Sequence, residues 1–221
     1  WAFVIVGLPG ILLAFIVRFT MAEPIRGLAD NQAVVEETPP FLDVLKGLWQ
    51  RRSFRHMAFG ASLNAFCGYS ISSWSASFMI RTHGMSTGEL GTWLALITGL
   101  GGAVGVFFGG MLAYALAPKD KRWYMWVPTI AGAIMVPFIA LAYLAPGPYM
   151  ALALMVVPGV LSNVYLGNTI ATTHNLVSLR SRALSSAILF LILNIIGLGM
   201  GPTFIGMLSD ALQPQYADDS L

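Results

Sequence analysis

A helix needs roughly 20 consecutive apolar residues to cross about 30 Å of hydrocarbon, and this chain offers six such stretches. They cover residues 1–19, 54–80, 88–112, 123–144, 150–173 and 184–208. Each is about twice the length of a membrane-barrel strand and lacks the alternating polarity of one. Hydrocarbon holds no water to satisfy free backbone groups, so helices remain. The expected fold class is all-α: a polytopic transmembrane helix bundle of about six helices. Composition agrees, with 57% hydrophobic and only 10% charged residues and a mean hydropathy of +0.73. That leaves too little polar surface for a soluble domain. The lipid bilayer is the expected surrounding. A net charge of +2 gives no reason to expect nucleic acid as a partner.

The basic residues orient the chain. Arg18, Arg26, Lys46, Arg51, Arg52 and Arg55 flank or fill the link between the first two stretches. Lys119, Lys121 and Arg122 follow the third, and Arg180 and Arg182 follow the fifth. The intervening loops on the other side carry only Arg81. Positive charge marks the cytoplasmic side, so both ends of the chain fall outside. The domains expected are a transmembrane helix at 1–19, a cytoplasmic linker at 20–53, a bundle at 54–212 and an exterior tail at 213–221. Glu23-Pro24 ends the first helix, because proline restricts the residue before it and cannot continue the hydrogen-bond ladder. Residues 30–40 are polar and acidic and read as a loop. Phe41, Leu42, Leu45, Leu48 and Trp49 then form an apolar face with Lys46 and Arg51-Arg52 beside it. This reads as a short interfacial helix, or else as the start of the second span. The chain starts at Trp1, inside an apolar stretch without a charged leader region, and is read as a fragment of a longer protein.

Polar side chains within the spans are the candidates for function. The second span holds Asn64, Tyr69 and Ser70, the third Thr98, the fifth Asn163, Tyr165 and Asn168, and the sixth Asn194. An asparagine in hydrocarbon must bond to a neighbouring helix or face a water-filled cavity. Several at similar depth on different spans point to a shared cavity. Glycines form a second pattern. Gly101, Gly105 and Gly109 recur every four residues, and Gly197, Gly201-Pro202 and Gly206 lie on the sixth span. Such stripes let backbones approach closely, and Pro202 can kink its helix. They serve packing, gating or both.

No enzyme signature is present. His56, His83 and His174 lie near loops on both sides of the membrane, and no metal-ligand or nucleophile motif is found. No catalytic residue, metal or cofactor is expected. The single cysteine, Cys67, reads as a small buried side chain. Arg81 and Glu89 could pair across a short outer loop. No carboxylate lies at mid-membrane, so any ion-coupling group is expected elsewhere in the protein.

Four local patterns, in this order, resemble the major facilitator superfamily and its spinster-like group. Glu23-Pro24-Ile25-Arg26-Gly27 is similar to the E-P-x-R-G that closes the sixth family helix. Gly109-Gly110-Met111-Leu112-Ala113-Tyr114, with Lys119 to Trp123 after it, looks like the second copy of the G-x-L-A-D-R loop motif. Arg180-Ser181-Arg182-Ala183 is similar to the entry of the eleventh helix, and the stretch from Gly199 to Asp210 to that helix and its end. The resemblance implies that the six stretches are family helices six to eleven, without the twelfth. It implies a missing first-half bundle as partner and a bacterial inner-membrane location. It also implies a secondary transporter moving a small organic or lipid-like solute by alternating access, with protons a candidate coupling ion. The second, third, fifth and sixth spans would line the cavity, and the fourth would face lipid. Tyr114 and Ala115 replace the motif's Asp-Arg, so the family's cytoplasmic charge latch is not expected here. The alternatives are a membrane-embedded enzyme or accessory subunit, which would cluster ionisable residues at one depth, and a channel.

Overall fold

The computed structural model describes residues 2–21 and 39–212. The Glu23–Gly27 motif, the acidic loop up to residue 38 and the tail at 213–221 lie outside them. The chain divides into two units, Trp1–Thr38 and Pro39–Leu221. The first contains one described helix, α1 (Ala2–Thr20), with Pro9 inside it and Arg18 in its last turn.

The second unit holds α2 (Phe41–Gln50), α3 (Arg52–His83), α4 (Thr87–Ala95), α5 (Gly101–Leu116), α6 (Trp123–Tyr143), α7 (Pro148–Leu161), α8 (Val164–Asn175), α9 (Arg182–Leu193) and α10 (Gly201–Leu212). A π-helical turn, Leu96–Leu100, joins α4 to α5, and a second, Asn194–Met200, joins α9 to α10. Four runs are long and apolar enough to cross a membrane: Thr87–Leu116, Trp123–Tyr143, Pro148–Asn175 and Leu179–Leu212. Six were expected. α3 has the length, since 32 residues rise about 48 Å. However, Arg52, Arg55, Arg81, Asn64 and a series of serines lower its apolar character. α1 covers nearly all of the first stretch, and most of its 19 residues are apolar.

Residue Arg51, in an extended conformation (φ −82°, ψ 113°), separates α2 from α3, so α2 is a helix of its own rather than the start of the span. Its buried residues are Val44 and Leu48, which join Phe54, Ile188 and Leu189 in one apolar cluster. Phe41, Leu42 and Trp49 stay exposed. The apolar face foreseen for this helix is therefore divided between the bundle and the outside. At the other end, Gly84 takes a left-handed conformation (φ 64°) and donates its N–H to Ile80 and Met79 carbonyls. Glycine adopts this backbone without a steric penalty, which closes α3. Ser86 then caps α4 by accepting from the Glu89 N–H. The Glu89 carboxylate accepts from the Tyr149 hydroxyl at 2.8 Å, and this replaces the Arg81–Glu89 pair expected from sequence.

Both glycine stripes are packing seams. A Cβ on Gly101 would lie 3.2 Å from the Gly159 carbonyl carbon, one on Gly105 would overlap the Val160 carbonyl oxygen, and one on Gly109 would lie 2.8 Å from Val164 Cγ1. α5 thus rests directly on the backbone of α7 and α8. On the other side, a Cβ on Gly197 would meet Ala65 at 2.8 Å, and one on Gly201 the Phe66 carbonyl oxygen at 2.6 Å. The Pro202 carbonyl accepts from Trp74 Nε1 at 3.1 Å, fixing α10 to α3. Small residues substitute for apolar burial here, because lipid removes the hydrophobic drive between helices. α6 packs against α5, α7 and α8 through Val127, Ala131, Met135 and Ala142. It leaves Trp126, Ile130, Ile134 and Leu141 exposed.

Candidate functional site

Three helical runs are interrupted at their polar residues. Thr98 lies within the first π turn and Asn194 opens the second. Asn163 lies at the break between α7 and α8. Local hydrogen bonds accompany each interruption. The Thr98 hydroxyl donates to the Leu94 carbonyl at 2.6 Å, and Asn194 Nδ2 donates to the Phe190 carbonyl at 2.8 Å. Each side chain thus bonds the carbonyl four residues back, where the widened turn departs from the α-type ladder. In the second run Pro202 also lacks an N–H to offer the preceding turn. At the α7–α8 break the Asn163 N–H donates to Val160, three residues back. The Gly159 carbonyl accepts from Asn163 Nδ2 and Ser162 Oγ instead, each at 3.4 Å.

These interruptions meet at one cavity of about 320 Å³, closed on another side by α3. Its polar lining includes Asn64, Tyr69, Thr98, Asn163, Tyr165 and Asn194, six of the eight side chains singled out from sequence. Asn64 Oδ1 is buried and has no hydrogen-bond partner among the described residues. Ser72 and Ser162, which sequence reading passed over, also line the cavity. Ser72 lies eight residues after Asn64, a spacing that keeps both near one helix face.

Ser70 and Asn168 lie elsewhere. Ser70 is buried, donates to the Phe66 carbonyl at 2.7 Å and abuts Gly201. Asn168 is 2% exposed. Its Nδ2 donates to the Gly109 carbonyl at 3.3 Å and to the Val164 carbonyl at 3.2 Å, so it ties α8 to the glycine face of α5. Asn168→Leu should therefore lower stability by about 1–3 kcal/mol through the lost bond to Gly109 and overpacking. Thermal unfolding of the full-length parent checks this, and an unchanged midpoint would contradict the structural role.

Two further cavities adjoin the central one. An apolar pocket of about 210 Å³ lies between α3, α4, α6 and α7. A wider groove of about 610 Å³ runs between α3, α6 and α8. Cys67 lines that groove and is exposed, which corrects the expectation of a buried thiol. It sits on the part of α3 that borders α6 and α8. The charged loop residues Lys119, Lys121, Arg122 and Arg182 are exposed, and Arg180 is half-buried. Asp120 Oδ1 accepts the Arg122 N–H at 2.8 Å, which folds the α5–α6 loop back on itself. His174 Nε2 shares a 2.6 Å hydrogen bond with Ser186 Oγ, remote from His56 and His83 in the chain.

Residues 1–202 match the family model of the Major Facilitator Superfamily. An MFS-type efflux pump of Mycolicibacterium smegmatis is 32% identical over 223 residues, covering 100% of this chain and 50% of the pump. The crystal structure of a bacterial homolog to the human lysosomal transporter Spinster, inward-facing and unoccupied, is 34% identical with a TM-score of 0.75. That match covers 97% of this chain and 45% of the homolog. An occupied inward-facing form matches at 32% identity and a TM-score of 0.63, over 99% and 46% of the two chains. The chain thus spans about half the length of the relatives it matches. An all-helical bundle with membrane-length apolar runs, a polar cavity among interrupted helices and a match across residues 1–202 agree: the chain is an integral membrane protein belonging to the Major Facilitator Superfamily.

Proposed function

We propose that this chain is the second-half part of a secondary transporter that moves a small organic or amphipathic solute by alternating access. The observation that carries this is the meeting of three interrupted helices at one polar cavity beside α3. Broken helices at mid-membrane supply hydrogen-bonding groups that a continuous helix keeps for itself. The names of the relatives, an efflux pump and a lysosomal transporter homolog, support the same reading. The glycine seams hold the two sides of the bundle as units that tilt as whole bodies during gating. The exposed basic loop residues lie on the cytoplasmic side, and α2 lies along that interface. A bacterial inner membrane is the proposed location. The cavity lining contains no carboxylate, so a coupling proton would be carried in the first half of the parent protein.

Cysteine accessibility tests the proposal without a known substrate. Thr98→Cys is placed in a full-length parent stripped of Cys67 and any other cysteine, and an impermeant maleimide is applied to either face of the membrane. Alternating access expects labelling from both faces. Labelling from one face alone would sink the transport reading and favour an accessory or enzymatic subunit.

A further inference from the structure

Helix α2 offers three faces to three surroundings. Val44 and Leu48 turn inward and join Phe54, Ile188 and Leu189, which seats α2 on α3 and α9. Asp43, Gly47 and Gln50, spaced by four and three residues, share a second face that is exposed and without apolar side chains. Leu42, Lys46 and Trp49 repeat the same spacing on a third face and are also exposed. Two large apolar side chains around one lysine do not suit water. They suit the membrane boundary, where tryptophan rings sit at headgroup depth and a lysine stem carries its charge outward.

Positive charge gathers where this helix ends. Arg51, Arg52 and Arg55 follow Trp49 closely, and all three are exposed, as is Lys46. None of the four forms an ion pair with a described residue. Asp43 is the one acid on α2, and the first turn of α3 has none. Arg182, also exposed, opens α9, on which α2 rests, and adds charge of the same sign. Cations held this close repel one another unless an anion lies among them. Guanidinium forks match the oxygens of a phosphate and hold it through paired hydrogen bonds. A soluble acidic partner would leave Leu42 and Trp49 in water, whereas a phosphate that carries acyl chains covers them. We infer that α2 and the start of α3 form a docking surface for anionic phospholipid, with headgroup phosphates among Lys46, Arg51, Arg52 and Arg55 and acyl chains against Leu42 and Trp49. This rests on α2 lying along the membrane interface, as proposed above.

Trp49 is the reporter. Its fluorescence is the difference between the full-length parent and a Trp49→Phe variant, both in vesicles that mix phosphatidylglycerol with phosphatidylcholine. One of the two lipids at a time carries brominated acyl chains, which quench a tryptophan they touch. Phosphatidylglycerol should quench Trp49 with at least about fivefold preference over phosphatidylcholine. In 1 M salt, where the screening length is about 3 Å, the preference should fall below about twofold. Arg51→Gln, Arg52→Gln and Arg55→Gln combined should abolish it. Lys119→Gln, Lys121→Gln and Arg122→Gln combined, in the α5–α6 loop, should leave it intact. The salt dependence keeps the test decisive where the arginine variant fails to fold. A preference lost equally in the loop variant would reduce the effect to general surface charge and overturn the inference. One that emerged only after Asp30→Asn, Glu36→Gln and Glu37→Gln would assign the arginines to the chain's own acidic stretch, and overturn it too. Equal quenching by both lipids would overturn it and leave α2 at the interface. No quenching by either would overturn the interfacial placement as well.

Discussion

Gly105→Ala should destabilise the bundle by about 3 kcal/mol or more, the upper range for overpacking a site that cannot give way. The added methyl would overlap the Val160 carbonyl oxygen, which is backbone and cannot rotate aside. Sliding α5 offers no relief. A Cβ on Gly101 or Gly109, one turn away in each direction, would also meet backbone, at 3.2 Å from Gly159 and 2.9 Å from Val164. Gly110→Ala is the matched control. Its Cβ meets nothing within 4 Å, and alanine stabilises a helix interior by about 0.5–1 kcal/mol over glycine. Thermal unfolding of both variants in the full-length parent reads the difference. Equal midpoints would contradict the seam between α5 and the α7–α8 pair.

Asn163→Leu should have the opposite signature: a loss of transport with the fold retained. Asn163 makes only local hydrogen bonds, at 3.4 Å to Gly159 and 3.2 Å to Ser162. The Ser162 hydroxyl still reaches the Gly159 carbonyl without it. The stability cost should therefore stay near 1 kcal/mol. Leucine removes an amide from the cavity lining and fills part of the cavity. Uptake into proteoliposomes should fall at least about tenfold, as expected when a ligand contact worth more than 1.4 kcal/mol is lost. Wild-type uptake would remove Asn163 from the site. A collapse of stability matching Asn168→Leu would assign it to packing instead.

Periodicity and polarity made much of this legible in advance. Asn64, Asn163 and Asn194 stood out because amides are costly in hydrocarbon, and Thr98 because the resemblance puts its span on the cavity; the structure brings all four together. Asn168 shows what that reasoning lacked. In an unbroken helix, five residues separate it from Asn163 by about 140° around the axis, so the two could not share a face. Spacing alone would have separated them. The interruptions were less accessible. Pro202 was read as a kink, yet the third, fifth and sixth stretches read as continuous because apolar content registers neither a widened turn nor a short break. The Arg81–Glu89 pair that the spacing allowed is absent among the described residues for a different reason. Tyr149 lies 60 residues from Glu89, and no local pattern announces a partner across such a distance.

α3 runs from Arg52 to His83 without a break, while its neighbours α4–α5, α7–α8 and α9–α10 are each divided near the cavity. It touches α2, α4, α8, α9 and α10 as well as the second π turn. Mechanically it is the mast of the bundle, and the divided helices are jointed spars. A load applied at one end of a spar can be absorbed at its joint. A load on α3 is carried along its length of about 48 Å, from the basic residues at its start to the Gly84 turn. A displacement of α2, which packs against α3, would therefore pass to the Gly84 turn along this one element.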